Sequence, residues 1–235
     1  MKKIAILPII AAGAIALTSC NSGSTPKATL KTTVDSVSYA IGINTGLGYK
    51  QNLESFPGEP ANIDDMIAGF AEGLKGNPSM TQEEAMNIIQ TYFQNAEKIE
   101  SEKNLAEGKK FLEENAKKEG VITTESGLQY KVDSLGTGAT PKAEDVVKVH
   151  YTGTLLDGTK FDSSVDRGEP ATFGVNQVIP GWTEGLQLMP VGSKYTFYIP
   201  SELAYGERAA GQAIKPNSTL VFQVELISIE EPQKK

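Results

Sequence analysis

The chain has 235 residues, of which 39% are hydrophobic and 22% are charged, and its formal net charge is −7. This composition is typical of a soluble globular protein with one large domain or two ordinary ones. The charge argues against a nucleic-acid partner, because no basic stripe is available to neutralise phosphates.

The first twenty residues have the pattern of a secretory signal. A basic start is followed by the apolar residues 4–17, which are too few for a membrane span of about 20 residues. The sequence LTSC at 17–20 resembles the lipobox of bacterial lipoproteins. That resemblance implies removal of residues 1–19 and lipid attachment to Cys20, the only cysteine of the chain. The alternative is an ordinary signal peptide with a chance cysteine.

The segment after the signal changes character at about residue 35. Residues 20–34 are rich in serine, threonine and lysine and lack apolar periodicity, which predicts a flexible tether. A helix is predicted next, with Asp35 as its cap and with Gly42 and Gly46 four residues apart on it. Because an interior glycine costs about 1 kcal/mol relative to alanine, this pair suggests that another helix approaches closely.

Two further helices are predicted. One begins near Asn62, and the other begins at Thr81, where TQEE forms a capping box. The third helix is expected to run as far as residue 118, with Gly120 as its stop.

The composition of the third helix changes midway. An apolar stripe ends near Ile99, and the following residues are charged nearly all round, as in helices that cross solvent between two domains. We therefore predict a helical domain at 35–96 and a connecting helix segment at 97–120. The short helices are too few to bury their apolar faces within one chain, which favours a homodimer.

Residues 121–235 are predicted to form a β-rich domain, so that the fold class is α+β. Asp157-Gly158 is a strong hairpin signal, and residues 219–229 alternate between apolar and polar. Strands are expected at 128–134, 146–155, 193–199 and 219–229. One short helix is expected at 180–189, with Pro180 in its first turn.

Several motifs of this domain occur in the order of a known family. VHYTGTLLDGTKFDSS, NQVIPGWTEGLQLMPVGSKYTFYIP, LAYGE and PNSTLVFQVELISIE resemble the FKBP-type peptidyl-prolyl cis–trans isomerases over residues 123–230. SYAIGINTGLGYKQNL and IDDMIAGFAEGLKG resemble the dimerisation domain of the macrophage infectivity potentiator type. The resemblance implies a twisted antiparallel sheet around one short helix, an apolar pocket between them, and dimerisation by helix exchange.

The resemblance also implies ten functional residues. Those implied as catalytic are Tyr151, Phe161, Asp162 and Tyr205. Those implied to bind the substrate are Arg167, Val178, Ile179, Trp182, Ile214 and Phe222. Trp182 is implied as the pocket floor, and Asp162 as an acid at the pocket edge that Arg167 holds in place. The Tyr205 hydroxyl and the Ile179 backbone N–H are implied to meet substrate carbonyls.

Some positions are expected to differ from the family or to lie outside the pocket. Ala171, Ala210 and Ala213 stand where relatives often carry larger groups, so we expect a more open pocket mouth. His150 precedes Tyr151 in a predicted strand and should point to the opposite face, which favours a structural role.

The implied reaction, rotation about an X–Pro amide bond, requires an apolar pocket and neither a metal nor a cofactor. We expect none, since the chain has one histidine and no cluster with metal-ligand spacing. The expected substrates are proline-containing unfolded or exported polypeptides, met in the cell envelope by a protein lipid-anchored to a bacterial membrane, here the outer membrane facing the periplasm. Two alternatives remain: a holdase chaperone with secondary isomerase activity, and a structural lipoprotein with an inactive pocket.

Overall fold

The computed structural model describes residues 28–53 and 56–230. The chain divides into two compact units at the Met80–Thr81 junction. The predicted signal, Cys20 and residues 21–27 of the predicted tether lie outside the described residues. Within the described ranges, no helix is both long enough and apolar enough to cross a membrane.

The first unit contains the helices α1 (Thr33–Leu53) and α2 (Ile63–Lys75). The prediction that Asp35 caps α1 is wrong. The helix begins at Thr33, two residues before Asp35, and Thr32 takes the cap position. Asp35 N donates to Thr32 Oγ1 at 3.1 Å, and Thr32 N donates to an Asp35 carboxylate oxygen at 2.9 Å. This reciprocal pair is a capping box, with the acid inside the first turn, where it also favours the helix dipole.

The start of α2 follows the prediction. The Asn62 side chain accepts from Asp64 N at 3.1 Å and from Asp65 N at 3.3 Å. At the other end, Gly76 adopts φ +70°, a left-handed conformation that glycine takes without strain and that stops the helix. Both boundaries are therefore set by local sequence.

The second unit begins with α3 (Gln82–Asn115), whose capping box at Thr81 and Glu84 confirms the predicted start. The helix has 34 residues and is about 51 Å long at about 1.5 Å per residue. It ends three residues before the predicted end at residue 118, and Gly120, the predicted stop, adopts φ +80° in the turn that follows.

The second half of α3 is not surrounded by solvent, which corrects the expectation from its charge. Its buried residues are Gly108 and Asn115, and Phe111 packs on Tyr198 with ring centroids 5.9 Å apart. Asn115 Nδ2 donates to Gln129 Oε1 at 3.0 Å. These residues lie on one helix face at spacings of three, four and seven, so this face packs against the sheet domain.

The sheet domain has seven strands and one short α-helix, which confirms the α+β class. The strands are β1 (Val121–Thr123), β2 (Gln129–Ser134), β3 (Val146–Thr154), β4 (Lys160–Ser163), β5 (Ala171–Gly174), β6 (Lys194–Ile199) and β7 (Leu220–Glu230). Their order is β1-β2-β6-β7-β3-β4, β5 pairs with β3, and every pair is antiparallel. The four predicted strands correspond to β2, β3, β6 and β7.

The helix α4 (Pro180–Leu186) lies against the sheet and closes the core. Two glycines allow this approach. A Cβ added at Gly181 would lie 2.5 Å from Ile199, and one added at Gly185 would lie 2.7 Å from Phe197. Because both contacts are far too short for real carbon atoms, any larger residue would push α4 away from β6.

Candidate active site

A cavity of about 800 Å³ opens between α4, the sheet and the loop before β7. Nine of the ten residues implied by the family resemblance line it: Tyr151, Phe161, Asp162, Val178, Ile179, Trp182, Tyr205, Ile214 and Phe222. The tenth, Arg167, binds the cavity edge from outside the lining. The structure therefore brings residues that are up to 71 positions apart to one place.

The floor of the cavity is Trp182 on α4, of which only 3% is exposed. Three rings meet the indole nearly edge-on: Tyr151 at 5.3 Å between centroids, Phe173 at 5.7 Å and Phe222 at 5.1 Å. Edge-to-face packing of this kind is favourable and fixes ring orientation. The indole Nε1 is buried and has no hydrogen-bond partner among the described residues. The floor is thus apolar and fixed in position.

The β3–β4 hairpin places Phe161 and Asp162 at the cavity. The hairpin turn is stabilised by Thr159 N, which donates to the Asp157 side chain at 2.8 Å. Across the ladder, Asp162 lies opposite Gly153. A Cβ at Gly153 would lie 2.6 Å from the Phe161 ring and 2.7 Å from the Phe222 ring. The missing side chain therefore makes room for two aromatic walls, which pack edge to face at 5.4 Å.

One edge of the cavity is polar, and its three side chains, Tyr151, Asp162 and Arg167, are hydrogen-bonded to one another. The Tyr151 hydroxyl donates to one oxygen of Asp162, and Arg167 Nη1 donates to the other. Arg167 Nη2 also donates to the Tyr151 oxygen at 3.0 Å. The guanidinium therefore fixes both partners, as the family resemblance implies for Asp162.

This network decides the charge of the edge. Burial raises the pKa of Asp162, but hydrogen bonds from Tyr151 and Arg167 outweigh it, so the pKa lies below its ordinary value of 3.8. Burial, helped by the hydrogen bond to Asp162, raises the pKa of Tyr151 above 10.0. At neutral pH the edge therefore carries an ionised carboxylate and a protonated phenol.

The loop at 204–219, which we call the pocket loop, forms the remaining wall. Ala210 and Ile214 form a bridge in which Ala210 N donates to Ile214 O at 2.9 Å. Tyr205 lies at the rim and is 42% exposed. Farther along, Asn217 N donates to Gly206 O at 2.7 Å and joins the two stems of the loop. The wall is thus a closed, hydrogen-bonded loop.

Sequence reasoning missed five residues of the lining: Lys160, Phe173, Gln177, Gly211 and Gln212. Phe173 matters most, because its ring contacts both Trp182 and Tyr151. It lies on β5, a strand of four residues between Pro170 and a short 3₁₀ helix at Val175–Gln177, and this strand was too short to be predicted. Ala171 on the same strand is absent from the cavity lining, so β5 supplies its aromatic wall from Phe173.

His150 lies outside the lining of this cavity, with Nδ1 3.1 Å from Ser164 Oγ. Among the described residues, no group of three or more His, Cys, Asp or Glu side chains could hold a metal ion. The chemistry available at the cavity is that of aromatic surfaces, one carboxylate and a few hydrogen-bond donors.

Comparison with known proteins relates both the sheet domain and the helical region before it to one family. Residues 138–227 match the family described as FKBP-type peptidyl-prolyl cis-trans isomerase. Residues 34–132 match a domain described as amino terminal to FKBP-type peptidyl-prolyl isomerase.

Individual relatives match over most of their length. The FKBP-type isomerase FkpA of Aeromonas hydrophila is 53% identical over 88% of this chain and 80% of its own. The outer membrane protein MIP of Legionella longbeachae is 42% identical over 97% and 96%. The crystal structure of FkpA from Escherichia coli superposes with a TM-score of 0.70 at 37% identity, over 86% and 99%. An aromatic cavity on this fold, and identity on this scale, establish that the chain belongs to the FKBP-type peptidyl-prolyl cis–trans isomerases.

Proposed function

We propose that the chain performs its isomerase reaction in the aromatic cavity, on proline-containing unfolded or exported polypeptides. Family membership carries the reaction type, and the geometry supports the site. The observation that carries the proposal is the combination, in one cavity, of the apolar Trp182 floor with the ionised Asp162 carboxylate at the edge.

The reaction makes and breaks no covalent bond. Its barrier, about 18–20 kcal/mol for a peptide bond, is the resonance that is lost as the amide twists. The planar amide has the larger dipole, so water stabilises it more than the twisted form. A dry aromatic cavity removes part of that preference, and binding then favours the transition state over the ground state.

We assign the roles from the positions of the side chains. Trp182 supports the proline ring from below, and Phe161 and Phe222 enclose it. Asp162 faces the amide from the edge, where a fixed negative charge attracts the carbonyl carbon and repels its oxygen, which favours rotation of the carbonyl out of the amide plane. At the rim, the Tyr205 hydroxyl and the Ile179 N–H would donate to the flanking substrate carbonyls.

Substitution at the wall and at the edge tests these roles. We expect Phe161→Ala and Asp162→Leu each to lower turnover of a short X–Pro peptide at least tenfold while the fold is retained. Glu169→Leu is the matched control, since this exposed acid lies seven residues from Asp162 and outside the cavity lining. Unchanged turnover in the first two variants, with a normal melting profile, would place the active site elsewhere.

We also propose that the protein is lipid-anchored in the cell envelope. Support comes from the LTSC sequence ending at Cys20 and from a similar protein described as an outer membrane protein. Cys20→Ser should leave an unprocessed precursor and abolish acyl labelling of the protein. Continued lipid labelling of this variant would contradict the proposal.

A further part of the proposal is that the helical domain, at 35–96, forms a homodimer. Across the described residues of α1 and α2, neither helix buries a residue. Between them lies a largely apolar groove of about 880 Å³, lined by Tyr49, Ile67, Phe70 and others. Gly42 and Gly46 line this groove. Apart from neighbouring residues of α1, no described atom would lie within 4 Å of a Cβ added at either glycine.

A second copy of the chain is the occupant that this groove favours. The match at residues 34–132 relates these helices to a domain found before the isomerase domain of this family, and we infer that its exposed apolar face is an interface. Large apolar side chains such as Ile41 and Leu47, both over 60% exposed, would then be covered. The names of the relatives favour enzymatic activity over the holdase and inactive-pocket alternatives.

A further inference from the structure

We propose that the contact face of α3, defined here as Ser101, Asn104, Gly108, Phe111 and Asn115, positions the pocket loop and thereby sets the affinity of the isomerase pocket for its substrate. This inference rests on the proposed function of the cavity. It makes the second half of α3 part of the catalytic domain in a functional sense, although none of its residues lines the cavity described above.

The first step is that α3 binds the stem of the pocket loop by two hydrogen bonds. Asn104 Nδ2 donates to Pro216 O at 2.9 Å. Asn217 Nδ2 donates to Ser101 Oγ at 2.8 Å. Asn217 adopts φ +57°, and among the described residues it is the one non-glycine position with positive φ. A strained backbone of this kind persists where its surroundings hold it, and here the helix supplies part of that support.

The second step is that this stem is directly joined to the cavity wall. Ile214, which lines the cavity, lies two residues before Pro216. Asn217 N donates to Gly206 O at 2.7 Å, and Gly206 follows Tyr205 at the cavity rim. A shift of residues 216–217 would therefore move both Ile214 and Tyr205, which line the cavity.

The third step is that the fit between α3 and the loop is close. Gly108 faces Thr219, which is 5% exposed, and a Cβ built at Gly108 would overlap Thr219 Oγ1. Farther along α3, Gln129 Nε2 donates to Leu112 O at 2.8 Å and holds the helix on the sheet. The helix is thus fixed to the sheet at one end of the contact face and to the pocket loop at the other.

The experiment uses the full chain and reads the pocket directly. Trp182 is the only tryptophan of the chain and lies on the cavity floor, so its fluorescence reports occupancy by an Ala-Leu-Pro-Phe peptide. Asn104→Ala removes one hydrogen bond and should raise the Kd about two- to tenfold, with hydrogen exchange at Ala210 and Ile214 accelerated. Asn95→Ala is the matched control, because this exposed asparagine lies on α3 outside the contact face.

Two further variants separate positioning from general stability. Asn217→Asp removes the amide donor, but its carboxylate can accept from the Ser101 hydroxyl, so the Kd should stay near that of the native chain; Asn217→Ala should raise it. Gly108→Ala should raise the Kd more than Asn104→Ala, and Thr219→Ala in the same chain should restore most of the loss, since it removes the overlapping oxygen.

The outcomes test two claims, that α3 positions the pocket loop and that the cavity is the substrate pocket. Lowered melting temperatures with an unchanged Kd and unchanged loop exchange would overturn the inference, because the contact would then be structural only. An unchanged Kd at an unchanged melting temperature would overturn it as well. If the native chain itself shows no Trp182 response to the peptide, the pocket assignment fails, and the inference fails with it.

Discussion

A single methyl group at Gly153 should disable the pocket without replacing any of the residues that line it. The Cβ of Gly153→Ala would lie 2.6 Å from the Phe161 ring and 2.7 Å from the Phe222 ring. Ordinary carbon contacts are about 3.5–4.0 Å, so each ring would have to move by about 1 Å. Phe222 also packs edge to face on Trp182 at 5.1 Å, and its movement would tilt the floor.

The size of the effect follows from the cost of overpacking. Extra carbon atoms in a filled interior destabilise by about 1–3 kcal/mol. For a unit of this size, each kcal/mol lowers the melting temperature by about 2–4 °C. The chain should therefore remain folded at 25 °C, whereas kcat/KM for a short X–Pro peptide should fall at least tenfold, because misplacement of about 1 Å is enough to lose productive geometry.

The assay is a coupled isomerisation measurement at 10 °C beside a thermal melt. Thr154→Ala serves as the control, since it lies on the same strand one residue later and its side chain points to the opposite face. Gly153→Ala with Phe161→Leu should recover part of the lost stability without recovering activity. A Gly153→Ala enzyme with kcat/KM within twofold of the native value would refute the argument that this glycine makes room for the walls.

Three other predictions follow from the edge and from the helical domain. The lowered pKa of Asp162 means that its contribution to stability is present above pH 3.8, its ordinary pKa, and is lost as the pH falls through the lower folded value; acid unfolding of the native chain compared with Asp162→Asn measures this difference. Arg167→Lys should lower kcat/KM several-fold with little change in melting temperature, because a lysine cannot donate to both Asp162 and Tyr151 in the same geometry. Gly46→Leu should weaken the proposed homodimer in sedimentation and leave peptide turnover intact; if the native chain is dimeric and this variant also stays dimeric at micromolar concentration, Gly46 does not lie in the interface.

Features that depend on neighbouring residues could be predicted from the sequence. The caps at Asn62 and Thr81 are local hydrogen-bond patterns, and the predicted positions agree with the structure. The strand β7 alternates over eleven residues, which gives a clear period. Asp35 failed as a cap because Thr32 can fill the same position, and local preference alone does not distinguish them.

Features that depend on contacts between residues far apart in the sequence could not be predicted. In the sequence, Gly153 looks like an ordinary strand glycine. Only the structure shows that Phe222, 69 positions later, packs over it. The residues of the cavity were located by their resemblance to family motifs, whereas Phe173, in a strand of four residues, carried no such signal. The contact face of α3 could not be predicted from the sequence for a different reason. Its members include serine, asparagine and glycine, and apolar periodicity does not register contacts made by hydrogen bonds and close backbone approach.

The contact face also bears on where the catalytic domain begins. The sequence suggests a boundary at residue 120, since the whole cavity lies after that point. A chain cut there would lose the donor to Pro216 O and the acceptor for the Asn217 side chain, and it would leave Gln129 without its partners on α3. We therefore expect a fragment beginning at Thr81 to bind the X–Pro peptide like the full chain, and a fragment beginning at Gly120 to bind it several-fold more weakly. Equal Kd values for two folded fragments, measured by Trp182 fluorescence, would show that the pocket loop holds its shape without the helix, and would restore the boundary at residue 120.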